Sequence, residues 1–363
     1  CNYCDFNSFA GIESEIVSYF EALEKELLFY SKQCCDRIVK TIFIGGGTPS
    51  MIDLCHYERI FKILYKCFKL DIDTEISIEA NPGTISLSKL IGYRNIGINR
   101  LSIGLQAWQP SLLKKLGRIH TKEQFSESVE LAKMAGFKNI NADLIFGIPD
   151  QKMEDWIESL DAVISEGVTH ISCYGLKIED GTLFGDLYDK GELVDFDDKL
   201  DREMYHNAIK RLADMGFKHY EISNFSNEGF ECRHNLVYWN CYEYLGIGAG
   251  AHSFINSVRY SNVYSIKDYV DRLMNSSPNN ITEEKVRIDE SESMKEYMML
   301  GLRLIDGVSE VDFRNRFGKE LQDTFMYEIE SLYTRGLIEC INDRVKLTKL
   351  GLDFANQVFM EFV

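Results

Sequence analysis

Along the first 222 residues, short apolar runs rich in β-branched side chains alternate with longer amphipathic stretches. That alternation limits the chain to a small set of folds. The runs are 38–44, 74–78, 99–104, 139–146, 169–174 and 217–222. Between them lie 13–30, 53–68, 121–135, 153–165 and 197–215, with apolar residues at i, i+3, i+4 spacing, as at Ile16, Phe20, Leu23 and Leu27. Such spacing predicts helices with one buried face. Gly136, Gly167 and Gly216 stand just past predicted helices, where a left-handed residue closes the last turn. Repeated strand–helix units predict an α/β fold, a parallel sheet or barrel with right-handed crossovers.

Composition narrows the function classes. The net charge is 40 − 57 = −17, which repels phosphate backbones and disfavours nucleic acid as a partner. Ten cysteines in 363 residues are too sparse for a disulfide scaffold and favour a reducing compartment, the cytoplasm. No apolar run reaches the length of a transmembrane helix.

Beyond residue 222 the alternation stops. Residues 223–289 are rich in Asn, Gly, Tyr and His through 262, and 275–289 reads as a linker. The last block, 290–363, predicts helices at 293–305, 310–317 and 321–335. A hairpin of 338–341 with 344–347 follows, turning on Asn342-Asp343, and then a helix from Lys349. Helices followed by a hairpin suggest a winged-helix-like domain. With 9 basic and 14 acidic residues, net −5, it reads as a packing or partner module.

Polar residues gather at the C-terminal ends of the predicted strands: Gly45-Gly46-Gly47-Thr48-Pro49-Ser50, Glu79-Ala80-Asn81-Pro82, Gln106 and Asp143. Functional groups of β/α folds collect on that rim, so the clusters outline one site. The glycine run is not followed by Gly-Lys-Ser/Thr, so it does not read as a P-loop. Gly246-Ile247-Gly248-Ala249-Gly250 lacks the strand–turn–helix context of a dinucleotide fingerprint. The first four residues, Cys1-Asn2-Tyr3-Cys4, pair two thiols at ligand spacing. Iron–sulfur clusters and tetrahedral metal sites use three or four protein ligands.

Together these motifs resemble the radical S-adenosylmethionine (SAM) proteins. Cys1-x-x-Cys4 is similar to the last two cysteines of their C-x-x-x-C-x-x-C motif, whose first cysteine would lie four residues before Cys1. Residues 42–50 and 77–82 resemble the SAM-binding strand ends of the coproporphyrinogen oxidase-like branch. The resemblance extends over residues 1–363 and is strongest to the HemW heme chaperones. Phe6 stands where the oxygen-independent coproporphyrinogen III oxidases carry a fourth cysteine. His234-Asn235-Leu236-Val237-Tyr238-Trp239 resembles the His-Asn-x-x-Tyr-Trp motif associated with heme.

The resemblance implies a partial (β/α)6 radical SAM barrel, with its first strand missing from the chain, over 1–222. It also implies a barrel extension and linker over 223–289, carrying the heme motif, and a C-terminal winged-helix-like domain over 290–363. Cys1 and Cys4 would hold a [4Fe–4S] cluster. Tyr3, Gly46, Gly47, Thr48, Glu79, Gln106, Arg118 and Asp143 would contact SAM. His234 would be an axial heme ligand, with Tyr238 and Trp239 flanking the porphyrin. The implied function is heme delivery to acceptor hemoproteins such as respiratory cytochromes, with peripheral membrane association compatible with such acceptors. The competing implication is radical decarboxylation of coproporphyrinogen III.

Overall fold

The computed structural model describes residues 1–7, 11–193, 196–275 and 278–363. The chain forms two compact units. The first comprises Cys1–Lys218, Ser223–Glu231 and Val270–Pro278; the second comprises His219–Ile222, Cys232–Tyr269 and Asn279–Val363.

The β/α series begins with α1 (Ile16–Gln33), β1 (Ile38–Ile44), α2 (Leu54–Cys67), β2 (Lys69–Ala80), α3 (Leu87–Asn95) and β3 (Arg100–Gln106). It continues with α4 (Pro110–Lys115), α5 (Lys122–Met134), β4 (Asn139–Phe146), α6 (Met153–Ser165) and β5 (His170–Gly175). Helices α7 (Leu183–Asp189) and α8 (Asp198–Asp214) and strands β6 (Lys218–Glu221) and β7 (Asn224–Ser226) complete it. The strands form one seven-stranded half-barrel in the order β1-β2-β3-β4-β5-β7-β6. β1 to β5 are parallel, and β7 runs antiparallel to β5. The three-residue β7 is too short to show a period, which is why the sequence pattern stops before it.

Local chemistry sets the helix ends. Thr121 and Gln124 form a reciprocal capping box at the start of α5, an arrangement whose loss costs about 1 kcal/mol. Gly136, Gly167 and Gly216 adopt φ of 86°, 65° and 87°, the left-handed geometry expected of residues that close helices.

Side-chain alternation gives the sheet two unlike faces. Ile76, Ile78, Leu101, Ile103, Ile140, Ala142, Leu144 and Ile171 are buried on the apolar face. The other face is polar in register. Ser77, Arg100 and Asn139 stand level; Glu79, Ser102, Asn141 and His170 form the next level; Gly104, Asp143 and Ser172 form the third. β3 is buried along its whole length, as expected for a parallel strand with both faces covered.

The second unit contains α9 (Arg233–Trp239) and an antiparallel sheet β10-β9-β8, built from β8 (His252–Ile255), β9 (Val258–Asn262) and β10 (Thr282–Arg287). Helix α10 (Ile266–Asn275) lies between β9 and β10 in sequence. Then follow α11 (Glu290–Gly301), β11 (Val308–Ser309), α12 (Glu310–Phe317), α13 (Leu321–Thr324), α14 (Met326–Thr334), β12 (Ile338–Ile341), β13 (Arg344–Leu347), α15 (Lys349–Asp353) and α16 (Ala355–Met360). The small sheet β11-β13-β12 beside these helices is the winged-helix-like element. Met298, Leu302, Phe313, Leu332, Val345 and Val358 lie at the centre of its core.

Three local expectations change. The segment 223–289 divides between the units, with 223–231 in the first and 232–269 in the second. The stretch 275–289, expected as a linker, contains β10, paired with β9; positions 276 and 277 lie outside the described residues. Almost every side chain of β10 is exposed, so no apolar period marks it. The helix expected over 321–335 breaks at Phe325, whose φ of −123° and ψ of 36° turn its ring onto Phe313 and Phe362.

Candidate functional site

The Cys1–Cys4 segment is held through Asn2. Its backbone N–H donates to Leu116 O (2.9 Å), its Nδ2 donates to Lys115 O (2.9 Å), and its carbonyl accepts from Phe184 N (2.8 Å). Gly117 makes room for this seat. It has φ +70°, and a Cβ there would lie 2.7 Å from Asn2 Oδ1. Tyr3 packs against an apolar cluster that includes Leu112, Leu116, Ile145 and Phe184, and burial pushes its phenol up to about 12. Cys1 and Cys4 are left as free thiols, Cys1 exposed and Cys4 half-buried.

Arg118 follows Gly117 and ties this segment to the strand ends. Its Nη1 lies 3.4 Å from Cys1 Sγ, and its Nη2 donates to Asn81 Oδ1 (2.5 Å) and Gly104 O (3.0 Å). Asn81 in turn donates from Nδ2 to Thr48 Oγ1 (3.0 Å) and from its backbone N–H to Ser50 Oγ (3.2 Å). One amide therefore joins the loops after β1 and β2 to Arg118. Replacing Asn81 by alanine leaves these polar groups short of partners. We expect a loss of about 2 kcal/mol, read as a lower urea midpoint at unchanged slope.

Gly46 and Gly47 have positive φ, 85° and 50°, conformations that glycine adopts without steric cost. Gly46 N–H donates to Glu79 Oε2 at 3.2 Å. Burial, reinforced by the charge of Asp143, pushes the Glu79 carboxyl up to about 7 despite Gly46 and Arg100. Gln106 is buried at φ 72°, a strained conformation for a residue with a side chain. Asp143 lies within β4 (Asn139–Phe146), not at the strand's C-terminal end where the sequence predicts it. Ser102 Oγ donates to its Oδ2 (3.0 Å) and Asn141 Nδ2 to its Oδ1 (2.8 Å). Burial raises its carboxyl, and hydrogen bonds from Ser172, Ser102 and Asn141 oppose the rise. Asn141 Oδ1 also accepts from Ser172 Oγ (3.2 Å) and lies 2.6 Å from His170 Nδ1.

The second set of residues lies on α9. His234 and Tyr238 are i and i+4 on this helix and therefore share a face. His234 Nε2 and Tyr238 Oη are 2.9 Å apart, with perpendicular rings. Burial pushes the Tyr238 phenol up to about 12, with Tyr244 and Cys232 contributing. Tyr244 meets the Tyr238 ring edge-on at 4.7 Å between centroids, and its backbone exchanges two hydrogen bonds with Phe254. Trp239 does not join the pair. The Arg303 guanidinium lies 4.4 Å over its ring, and its indole Nε1–H is buried with no partner among the described residues. No residue of α9 is fully buried, although Leu236, Val237, Tyr238 and Trp239 follow one another.

Arg118 and Asn81 join Cys1, Thr48 and Gly104 into one network, Gly46 and Glu79 form a second bonded pair on the neighbouring strand ends, and Tyr3 and Asp143 lie beside them. Sequence reasoning gives Asn2 no role and places Asn81 only in a rim cluster, without a role of its own. Asn81-Pro82-Gly83 reads as an ordinary turn, and only the reach of Arg118 shows its second use. The supports of Asp143 are also silent in sequence, since Ser102, Asn141 and Ser172 are separately unremarkable strand residues.

The residues fit the groups that the motifs imply. Burial and the charge of Asp143 outweigh Gly46 and Arg100 in raising the Glu79 carboxyl, and a ligand ammonium would add a further favourable cation. The left-handed glycines open backbone groups to a ligand. Cys1 and Cys4 offer two thiolates, and among the described residues no group of three or more Cys, His, Asp or Glu forms a metal site.

The radical SAM superfamily profile matches residues 1–163, and the HemN C-terminal domain profile matches 288–354. The chain is 36% identical to the heme chaperone HemW of Bacillus subtilis, with 100% of this chain and 96% of that protein aligned. It is 31% identical to that of Escherichia coli, covering 100% and 94%. In three dimensions it matches the coproporphyrinogen III oxidase HemN of Escherichia coli with a TM-score of 0.86 at 21% identity, over 100% of this chain and 86% of that one; that likeness speaks for the fold. With full-length identity above 30% to curated relatives, and with the half-barrel, the cysteine pair and the strand-end cluster all in place, the chain belongs to the HemW heme chaperone family of the radical SAM superfamily.

Proposed function

We infer that this chain binds heme and passes it to acceptor hemoproteins, such as respiratory cytochromes, in the cytoplasm. The observation that carries this reading is the His234–Tyr238 pair on a half-buried, largely apolar helix. An imidazole is a common axial ligand of heme iron, and Val237 and Tyr238, at i+3 and i+4 from His234 on α9, share its face and suit a flat, largely apolar ring. Phe6, at the fourth-cysteine position of the oxidases, is 61% exposed and offers no ligand. Among the described residues no helix is long and apolar enough to cross a membrane.

The rim of the half-barrel would hold the second group. A [4Fe–4S] cluster with SAM supplies one-electron chemistry when bound. Cys1 and Cys4 give thiolates to the cluster, and Tyr3 forms an apolar wall. Gly46, Gly47 and Thr48 present backbone and hydroxyl groups to the methionine part of SAM. Glu79 accepts from its ammonium, Arg118 pairs with its carboxylate as a planar fork, Gln106 adds a neutral amide, and Asp143 accepts from a ribose hydroxyl.

The test is transfer. Heme-loaded full chain is mixed with an apo-cytochrome b, and the Soret band is followed. The expected result is movement of heme to the acceptor faster than from free hemin. No transfer, together with protoporphyrinogen formed anaerobically from coproporphyrinogen III, would replace the chaperone reading by the oxidase one.

A further inference from the structure

We propose that Tyr238 is the positioning residue of the heme site, a hydroxyl cap on the very nitrogen of His234 that iron must take. The proposal rests on the reading of His234 as heme ligand and says how that ligand is guarded.

The geometry is specific. Tyr238 Oη lies 2.9 Å from His234 Nε2. An imidazole nitrogen directs one lone pair or one proton, in the ring plane. A hydroxyl at hydrogen-bond distance and an iron atom at that nitrogen therefore exclude each other, whichever of the two partners donates. The other ring nitrogen, Nδ1, adjoins Cβ. A porphyrin is wide and flat, so iron at Nδ1 would bring the macrocycle against the helix backbone. Nε2 is the nitrogen a porphyrin can reach, and it is the one capped.

The cap is itself held. The Tyr238 ring meets Tyr244 at 4.7 Å, and Tyr244 is fixed by paired backbone hydrogen bonds to Phe254, 3.0 and 2.9 Å. Departure of heme returns Nε2 to a hydroxyl already in place. An internal competitor for the ligand lone pair weakens heme binding and favours release, as a carrier requires.

The experiment compares wild type, Tyr238→Phe and His234→Ala as full chains. Phenylalanine keeps the ring against Tyr244 and removes only the hydroxyl. Losing a hydrogen bond of ordinary net strength corresponds to roughly a five-fold change. We expect Tyr238→Phe to bind hemin about five-fold more tightly, to release it more slowly to apo-cytochrome b, and to keep the wild-type ligand signature in the Soret and visible bands. In the heme-free chain it should move the nitrogen resonances of the His234 imidazole. Unchanged or weaker hemin binding by Tyr238→Phe, with His234→Ala still impaired, overturns the cap alone. Loss of a phenolate-to-iron charge-transfer band in Tyr238→Phe makes Tyr238 the ligand and overturns it as well. Wild-type affinity in His234→Ala removes the heme-ligand reading and the cap with it.

Discussion

His234→Ala is expected to lower the hemin affinity of the full chain by about 100-fold or more. Loss of a partner that merely orients a metal ligand already costs 10–100-fold, and here the ligand itself goes. The structural cost is small by comparison. His234 is half-buried, and the bond between its Nε2 and Tyr238 Oη, at ordinary net strength, contributes about 1 kcal/mol. Hemin titration followed at the Soret band, beside far-UV circular dichroism and a thermal melt, separates the two effects. A variant that melts near wild type yet no longer binds supports the assignment. A variant that still binds at wild-type affinity removes it.

Glu79→Gln is expected to change how stability depends on pH. The Glu79 carboxyl is pushed up to about 7 in the folded chain, chiefly by burial, whereas an unfolded glutamate titrates near ~4.3. Between those values the folded state binds more protons than the unfolded state, so stability falls as pH rises. The difference corresponds to about 4 kcal/mol, present in full below the unfolded value and lost above about pH 7. Glutamine cannot ionise. The variant should therefore be the more stable protein at pH 8, with the gap closing as pH drops toward 4. Urea midpoints at three pH values measure it, and parallel curves would show that Glu79 is not the group responsible. A bound cation should act in the opposite sense. The SAM ammonium would favour the carboxylate, so SAM should bind more tightly, and stabilise wild type more, above about pH 7, where Glu79 is ionised.

Much of the fold was legible because its signals are local. β1 and β4 have the bounds that the apolar runs predict, 38–44 and 139–146, and both strands of the 338–347 hairpin do too. The elements that escaped have no period to read. β7 is three residues long, β10 is almost wholly exposed, and the break at Phe325 answers to the rings of Phe313 and Phe362 rather than to any breaker residue. The site was legible where a motif is contiguous, as in Cys1-x-x-Cys4, the glycine run and 234–239. It was not legible where one residue works through another. Asn81 looks like a turn residue until Arg118 reaches it, and Tyr238 looks like a wall until its hydroxyl is seen on His234.

By itself the sequence determined the β/α order, the helix ends, the polar rim and the two motifs, since helix period, strand alternation and capping act over a few residues. Only the tertiary structure decided that Arg118 stands 3.4 Å from a thiol 117 positions away. It alone showed that Asn81 joins two loops, and that the inner polar residues of β2 to β5 stand in register. Those facts depend on strand register and loop seating, which the whole core sets at once and no local stretch of sequence encodes.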